Sequence, residues 1–178
     1  MFKDLVRRYR QEGAKSFKLE IASMIDQALA SDARQGFMCL VHDICIDLGM
    51  CSEAIRILNE ETRRFGANDV LLNNLAYCLW EKDELNAAYA AYKNSLALNP
   101  SNASSLRGAA FLAIETDHDH EAVKLCRKFY TQSAESSEAA IWYATALYNA
   151  GRVNALREFV RKHCGKRGPD RELESFLK

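Results

Sequence analysis

The residues of this sequence best suited to covalent or metal chemistry are its six cysteines and four histidines. A cysteine beside a histidine can act as a nucleophile that is activated by a neighbouring base. No phosphate-binding loop, glycine-rich dinucleotide turn, Gly-x-Ser-x-Gly elbow or His-Glu-x-x-His helix accompanies these residues in the sequence. The sequence therefore carries none of these catalytic motifs, and a cysteine–histidine pair is the only catalytic arrangement that its residue types suggest.

The cysteine pattern does not indicate a disulfide framework. The spacings are irregular, and the opening MFKDLVRRYRQEG is charged and is not followed by the apolar stretch of a secretory signal. Disulfide frameworks are typical of exported domains that are too small to build a core. We interpret the cysteines as small buried hydrophobic residues of a reduced, cytoplasmic protein: Cys39, Cys45, Cys51, Cys78, Cys126 and Cys164.

The segment from Asp117 to Glu121, with the sequence DHDHE, brings together side chains of the kinds that bind metal ions. A metal site needs convergent ligands in a fixed geometry. This segment instead falls in a short predicted turn, where Asp117 suits the turn and Glu121 suits the positive end of a following helix. We favour a solvated turn and predict neither a metal nor a cofactor.

The charges balance overall but not locally. Lys and Arg number 24, as do Asp and Glu, yet residues 35–151 hold 9 basic and 15 acidic side chains and residues 152–178 hold 8 and 4. No aromatic residues for base stacking are interleaved with the basic tail, so a solvated helix face is favoured over nucleic-acid binding there. No run approaches the roughly 18 apolar residues of a membrane span, so no membrane partner is expected. The tail residues are Arg157, Arg161, Lys162, Lys166, Arg167 and Arg171.

The predicted helices and turns that carry these residues recur at a fixed interval, which we call the repeat period. It is the distance along the chain from Gly49 to Asp83. Four stretches align without insertion or deletion: DLGMCSEAIRIL, EKDELNAAYAAY, ETDHDHEAVKLC and NAGRVNALREFV. Each has a turn residue followed, five residues later, by a small or apolar residue: Gly49, Asp83, Asp117 and Gly151, then Ala54, Ala88, Ala122 and Leu156. A period of this size, about 34 residues, predicts a repeat fold in which stacked neighbours supply the core.

Within the second copy, apolar residues follow helical spacing in two stripes, which are Leu72, Leu75, Ala76 and Leu79, and then Leu85, Ala88, Tyr92 and Leu96. Asn99 precedes Pro100, and the residue before a proline is pushed out of the helical region. The copy therefore predicts a pair of helices, which the small residues Ala76 and Ala88 allow to approach closely.

These residues resemble the tetratricopeptide repeat over about residues 35–165, and the stretch from Asp69 to Asn102 follows the family pattern through Pro100. The resemblance implies an all-α fold, a superhelical stack of four helix-turn-helix repeats with capping helices at both ends. The repeats would span residues 35–68, 69–102, 103–136 and 137–165. Four departures from the pattern imply looser local packing: His42 for Gly or Ala, Gly66 and Ala134 for Pro, and Leu156 for the interface Ala.

The two ends of the chain lack the repeat pattern. Residues 1–34 predict two helices, Phe2 to Glu12 and Phe17 to Ala30, broken at Gly13, and these either cap the array or occupy its groove. The second has an apolar stripe: Phe17, Ile21, Ile25, Ala28 and Leu29. Residues 166–178 predict a turn and then a short helix from Arg171, with side chains that would cover the last repeat: Phe176 and Leu177.

The resemblance also implies where a partner binds, because the first helix of each repeat lines the groove in tetratricopeptide proteins. The matching positions hold an apolar column, which is Ile46, Trp80, Ile114 and Tyr148. The row directly beside this column is Asp47, Glu81, Glu115 and Asn149. One helical turn away lie Asp43, Tyr77, Phe111 and Thr145, and then Asn73, Arg107 and Ile141. Aromatic anchors would supply affinity and the acids selectivity. The alternative is that Trp80 and Phe111 pack inward as core residues.

Taken with the resemblance, these features predict a cytoplasmic, non-catalytic protein-interaction module. It would be an adaptor or chaperone whose groove binds a segment of another protein with apolar anchors and basic residues. Two alternatives stay open. One is a structural module that self-associates, and the other is a regulator that binds nucleic acid through its basic tail.

Overall fold

The computed structural model describes residues 14–134 and 136–177, with side chains from residue 20 onward, and these residues form helices and turns without strands. The predicted helix from Phe2 to Glu12 and the break at Gly13 lie outside the described residues, as does the side chain of Phe17. The described helices are α1 (Ala14–Leu29), α2 (Gln35–Asp47), α3 (Cys51–Phe65), α4 (Asp69–Glu81), α5 (Leu85–Leu98), α6 (Ala103–Glu115), α7 (Asp119–Gln132), α8 (Ser137–Asn149), α9 (Val153–Arg167) and α10 (Arg171–Ser175).

The helices reproduce the repeat period, which confirms the predicted all-α repeat architecture. The first helices of the pairs, α2, α4, α6 and α8, begin at Gln35, Asp69, Ala103 and Ser137. The second helices, α3, α5, α7 and α9, begin at Cys51, Leu85, Asp119 and Val153. Arg171, where α10 begins, follows Ser137 by the same interval, so α10 takes the first-helix position of a further, shortened repeat.

The predicted turn residues form the turn inside each pair. The backbone is left-handed at all four, with φ of 71°, 63°, 56° and 66° at Gly49, Asp83, Asp117 and Gly151. Glycine adopts this region freely, and the short polar side chain of aspartate tolerates it. The next amide donates to a carbonyl five residues back at 2.7–2.9 Å, the hydrogen bond of a Schellman motif. The turn chemistry therefore ends each first helix at the same point of the repeat.

The starts of the first helices also follow the period. Asn68, Asn102 and Ser136 precede α4, α6 and α8, and each side chain accepts a hydrogen bond from an amide of the first helical turn. Asp170 does the same before α10. Such a cap contributes about 1 kcal/mol to stability. Arg34 occupies this position before α2 and makes no side-chain cap, so the first repeat lacks a device that the later ones share.

The chain forms two compact units, the first ending at Ala91 and the second beginning at Tyr92, inside α5. In the first unit α3 packs against α2 and α4. The small residues Ala76 and Ala88 are fully buried, as their predicted role in close helix contact requires. The apolar core of α2, α3 and α4 consists of Met38, Val41, Cys45, Cys51, Ala54, Ile57, Leu58, Leu71 and Cys78.

Helix α1 covers one side of this unit by packing against α2 and α3. It buries the predicted apolar stripe at Ile21, Ile25 and Ala28. Arg64 of α3 donates two hydrogen bonds, of 2.6 and 2.9 Å, to the last carbonyls of this segment, those of residues 30 and 29. Helix α1 thus contacts the first repeat through α2 and α3, the contact that a capping helix would make.

In the second unit α7 packs against α6 and α8, and α9 and α10 both pack against α8. Fully buried Leu173 anchors α10, and the ring of Phe176 lies 6.1 Å from that of Tyr148. Leu177, which was expected to cover the last repeat as well, remains exposed. Alanines bring α6 and α8 close to their neighbours: Ala109, Ala110, Ala113, Ala139, Ala140, Ala144 and Ala146.

The four departures from the family pattern were expected to loosen the packing locally, but the two core positions among them are tightly packed. His42 and Leu156 are almost fully buried, at 3% and 2% exposure. Gly66 follows α3 with φ 87°, and Ala134 follows α7 with φ 50°. A residue with a positive φ thus follows each of these helices at the position where the family has a proline. A residue in this backbone conformation ends a helix, as a proline does.

Candidate functional site

The predicted site residues of the first unit lie on the first helices α2 and α4. We call this set the acidic–aromatic face: Asp43, Ile46, Asp47, Asn73, Tyr77, Trp80 and Glu81. Positions three and four apart share one side of a helix, which aligns Asp43 with Asp47 and Tyr77 with Glu81. Asp43, Asp47, Trp80 and Glu81 are exposed, whereas Ile46, Asn73 and Tyr77 are half-buried.

Two aromatic rings form the apolar part of this face. The centroids of Tyr77 and Trp80 lie 6.1 Å apart, and the rings meet edge to face at 66°, a favoured geometry for aromatic pairs. The side chain of Trp80 remains 38% exposed. In the first unit the ring of Trp80 thus contacts Tyr77 on one side and is exposed to solvent on the other.

Negative charge predominates on the two helices of this face. Helices α2 and α4 carry four carboxylates and no lysine or arginine: Asp43, Asp47, Asp69 and Glu81. Burial, followed by the charge of Glu81 and a hydrogen bond to it, raises the pKa of the Tyr77 phenol above its usual value of 10. The phenol therefore stays neutral at physiological pH, and the net charge of the face is negative.

The predicted site residues of the second unit have different surroundings. Phe111 packs on Trp142 with centroids 5.6 Å apart, and Trp142 also packs on Phe129 at 5.3 Å. Arg107 lies 5.7 Å from the centre of the Trp142 ring and pairs with Glu138 at 2.8 Å. Phe111 is therefore a half-buried member of an aromatic cluster whose third ring, Phe129, is buried, and Arg107 is already engaged.

The remaining predicted residues of this unit are more open. Glu115 is exposed, Ile114 and Ile141 are half-buried, and Tyr148 is 63% exposed beside Phe176. Sequence reasoning assigned no site role to Trp142 or Glu138. Trp142 could have been found from the repeat alignment, because it lies one repeat period after Gly108. A tryptophan at a position where the preceding repeat has a glycine must fill space that the glycine leaves open.

A buried polar cluster lies between α2, α3 and α4. Glu61, which is fully buried, accepts hydrogen bonds at Oε1 from Cys39 and Gln35, at 3.0 and 3.3 Å. The Nδ1 of His42 lies 3.1 Å from Oε2 of the same carboxylate. The other ring nitrogen of His42 lies 3.4 Å from the Asn74 amide nitrogen and 3.3 Å from an oxygen of Asp43. Both oxygens of Glu61 are thus satisfied by groups on α2.

This cluster brings together a cysteine and a histidine, the pair considered for nucleophilic chemistry. Burial, and then the hydrogen bond to Glu61, raises the pKa of the Cys39 thiol to about 11. A nucleophilic cysteine instead needs a depressed pKa and a cationic neighbour. Cys39 is placed to donate a hydrogen bond, not to attack a substrate.

The histidine-rich segment forms a turn and a helix start. Asp117 has a left-handed backbone, and α7 begins at Asp119. The Nδ1 of His118 lies 2.8 Å from the hydroxyl of Thr116, and Glu121 pairs with Lys93 at 3.2 Å. Across residues 14–134 and 136–177, no three His, Cys, Asp or Glu side chains converge as metal ligands.

The six cysteines are all free thiols. Cys45, Cys51, Cys78 and Cys126 are buried as predicted, whereas Cys39 and Cys164 are half-buried. Burial raises the pKa of Cys45 and Cys126 to about 12, and it is also the largest cause of the value of about 12 for Cys78. These thiols are therefore packing groups.

We expect Cys164 to react first with an aromatic disulfide reagent at pH 8. Cys39 is equally half-buried, but a pKa of about 11 leaves only about one thiol in a thousand ionised at that pH. Absorbance of the released thiolate should show one fast phase in the native protein and reaction of all six cysteines in denaturant. Cys164→Ser should remove the fast phase. A fast phase that survives this substitution would contradict the assignment.

The basic residues of the tail lie mainly on α9. Arg157, Arg161 and Lys162 are exposed, and Arg167 donates to the carbonyl of Ala134 at 2.6 Å. Among the described helices, none is long and apolar enough to cross a membrane.

No family model and no curated protein match this sequence. Similar solved structures do exist. A crystal structure of MamA is 16% identical, with a TM-score of 0.70 over 97% of this chain and 94% of that one. MamA from residue 41 onward, from Desulfovibrio magneticus RS-1, is 15% identical, with a TM-score of 0.66 over 76% and 77%. A tetratricopeptide repeat protein from Parabacteroides merdae ATCC 43184 is 16% identical, with a TM-score of 0.68 over 98% and 70%.

Proposed function

From the tetratricopeptide-like fold of this chain, we propose that it is a non-catalytic protein-interaction module. Its acidic–aromatic face would bind a segment of another protein that carries an apolar anchor and basic residues, as an adaptor or chaperone does. The observation that carries this proposal is the partly exposed indole of Trp80, which Tyr77 contacts edge to face on a pair of helices that carry carboxylates and no lysine or arginine. The free cysteines support placing this activity in a reducing compartment such as the cytoplasm.

The two parts of the face would contribute differently. Binding energy at protein interfaces concentrates in a few aromatic anchors, so Trp80 and Tyr77 would supply most of the affinity. Exposed charges mainly change association rates and selectivity, so Asp47 and Glu81 would favour segments rich in lysine and arginine. A segment of this chemistry is consistent with the absence of any cation from α2 and α4.

The second unit has predicted positions of the same kinds. Ile114, Ile141 and Tyr148 would offer further apolar contacts, and Glu115 a further charge. Arg107 would act indirectly, because its ion pair with Glu138 holds the guanidinium over the Trp142 ring. We therefore assign Arg107 a positioning role beside Phe111.

The test uses peptides enriched from a random display library that is panned against the wild-type protein. We expect the enriched sequences to combine an aromatic or large aliphatic residue with lysine or arginine. Trp80→Ala should weaken these peptides about 30-fold or more, since truncation of an aromatic anchor costs about 2 kcal/mol or more. Calorimetric titration measures the change, and circular dichroism should show unchanged helicity because Trp80 is partly exposed.

Val70→Ala is the matched control, since Val70 is an exposed apolar residue of α4 outside the acidic–aromatic face. It should leave peptide affinity unchanged. Asp47→Lys combined with Glu81→Lys should weaken binding moderately, and more at low salt than at high salt. Peptides that bind Trp80→Ala as tightly as wild type would show that the binding surface lies elsewhere.

A further inference from the structure

Charge differs sharply between helices α2 and α4 on one hand and helix α9 on the other. Helices α2 and α4 have four carboxylates and no lysine or arginine. Helix α9 has the opposite balance, with five cations and one carboxylate: Arg157, Arg161, Lys162, Lys166 and Arg167, and Glu158. With a formal net charge of zero, two copies do not repel each other overall, so that such local differences decide how they meet.

The outward side of α9 carries a specific stripe. Leu156, Val160 and His163 are buried on the inward side. Val153, Arg157 and Arg161 follow one another at intervals of four, so they lie on one side of the helix, and all three are exposed. Val153 is 48% exposed. We call these three residues the α9 stripe.

The cations of the α9 stripe are not engaged elsewhere in the part of the chain that the structure describes. Neither Arg157 nor Arg161 forms an ion pair or a hydrogen bond with a described residue. This separates them from Arg167, which donates to a backbone carbonyl, and from Arg107, which pairs with Glu138. Their guanidinium groups can therefore meet a partner's carboxylates without first breaking a contact to another described residue.

We propose that the α9 stripe of one copy docks on the acidic–aromatic face of a second copy. The proposal rests on the proposed function of that face. Val153 would contact the rings of Trp80 and Tyr77, while the two arginines would meet carboxylates of the face such as Asp47 and Glu81. The α9 stripe has an apolar side chain followed by two cations on one side of the helix. This is the kind of segment that the acidic–aromatic face is proposed to bind.

Because the two surfaces differ, this contact is heterologous. A head-to-tail pair keeps one unused surface of each kind, so further copies can add to it and association can continue into short chains. The charges are exposed, and salt screens exposed charges. The assembly should therefore be concentration-dependent and weaken as salt rises.

The test is sedimentation velocity of the full chain over a range of concentrations, at low and at high salt. Arg157→Glu with Arg161→Glu should abolish association, and so should Asp47→Lys with Glu81→Lys. An equimolar mixture of these two variants should associate again, because each retains the surface that the other lacks. A chain with all four substitutions should also recover association, since both charges are exchanged. Lys124→Glu with Arg127→Glu, on exposed positions of α7, is the control and should behave as wild type.

Several results would overturn the proposal. These are a wild-type protein that stays monomeric throughout, association that neither reversal affects, and a mixture that fails to recover. A DNA duplex that shifts in a gel only while Arg157 and Arg161 are present, without an effect of the acidic face, would assign α9 to nucleic acid instead. The peptide titration separates the two proposals: if Trp80→Ala loses the peptides while wild type remains monomeric, the binding function stands and self-docking fails.

Discussion

Glu61→Ala is expected to lower the free energy of unfolding by about 3 kcal/mol or more. The substitution removes the acceptor of Cys39 and Gln35 and the partner of His42 from a site where Glu61 is fully buried. A buried polar group left without a partner costs about 1–3 kcal/mol, and three groups of α2 lose their partner here: Gln35, Cys39 and His42. Urea unfolding followed by circular dichroism measures the loss.

Two variants test whether this loss comes from the buried cluster. Glu60→Ala removes the neighbouring carboxylate, which pairs with Arg63 and Arg64 near the surface, and should shift the unfolding midpoint far less. Glu61→Leu combined with His42→Ala fills the space with apolar groups and leaves fewer polar groups unpaired, so it should cost less than Glu61→Ala. A Glu61→Ala protein as stable as wild type would mean that solvent reaches this carboxylate.

Gly108→Ala should destabilise the protein by about 1–3 kcal/mol, the usual cost of adding a methyl group to a filled core. An alanine Cβ at residue 108 of α6 would lie within 2.8 Å of three ring atoms of Tyr92. Tyr92 is itself buried, so the ring cannot move into solvent to make room. Thermal unfolding followed by circular dichroism should show a lower Tm.

Gly165→Ala is the matched control, because nothing lies within 4 Å of a Cβ at that position of α9. It should leave the Tm unchanged or raise it, since alanine is favoured over glycine in a helix by about 1 kcal/mol. Truncation of the ring in Tyr92→Ala should make the further change of Gly108→Ala nearly free, because the two residues compete for one space. Additive effects in the double variant would contradict the contact.

Much of the fold follows from signals local to the sequence. Gly49 and Asp83 mark turns because the left-handed backbone favours these residue types, and the same positions are left-handed in the structure. The stripes at helical spacing placed Ala76 and Ala88 at a helix contact, and both are fully buried. The recurrence of these signals at every repeat period made the helical repeat architecture predictable without any contact between distant residues.

The candidate site was predictable only in part. The resemblance to the repeat family predicted that Tyr77 and Trp80 belong to the same site. Their rings are in contact, because both residues lie on one helix. The same step placed Phe111 in the groove without its neighbour Trp142, which lies on another helix. A ring that is anchored within its own helix can be assigned from spacing, whereas one that packs between helices cannot.

The sequence by itself determined the helices of this protein, their order and the turns between them, because backbone propensity and turn chemistry depend on near neighbours in the chain. Only the tertiary structure decided that His42 is buried against Glu61, 19 residues away on the next helix. Helix α3 has three carboxylates, and which of them turns inward depends on how α2 and α3 pack. The space between helices arises from all of their side chains together, so no single segment specifies what fills it.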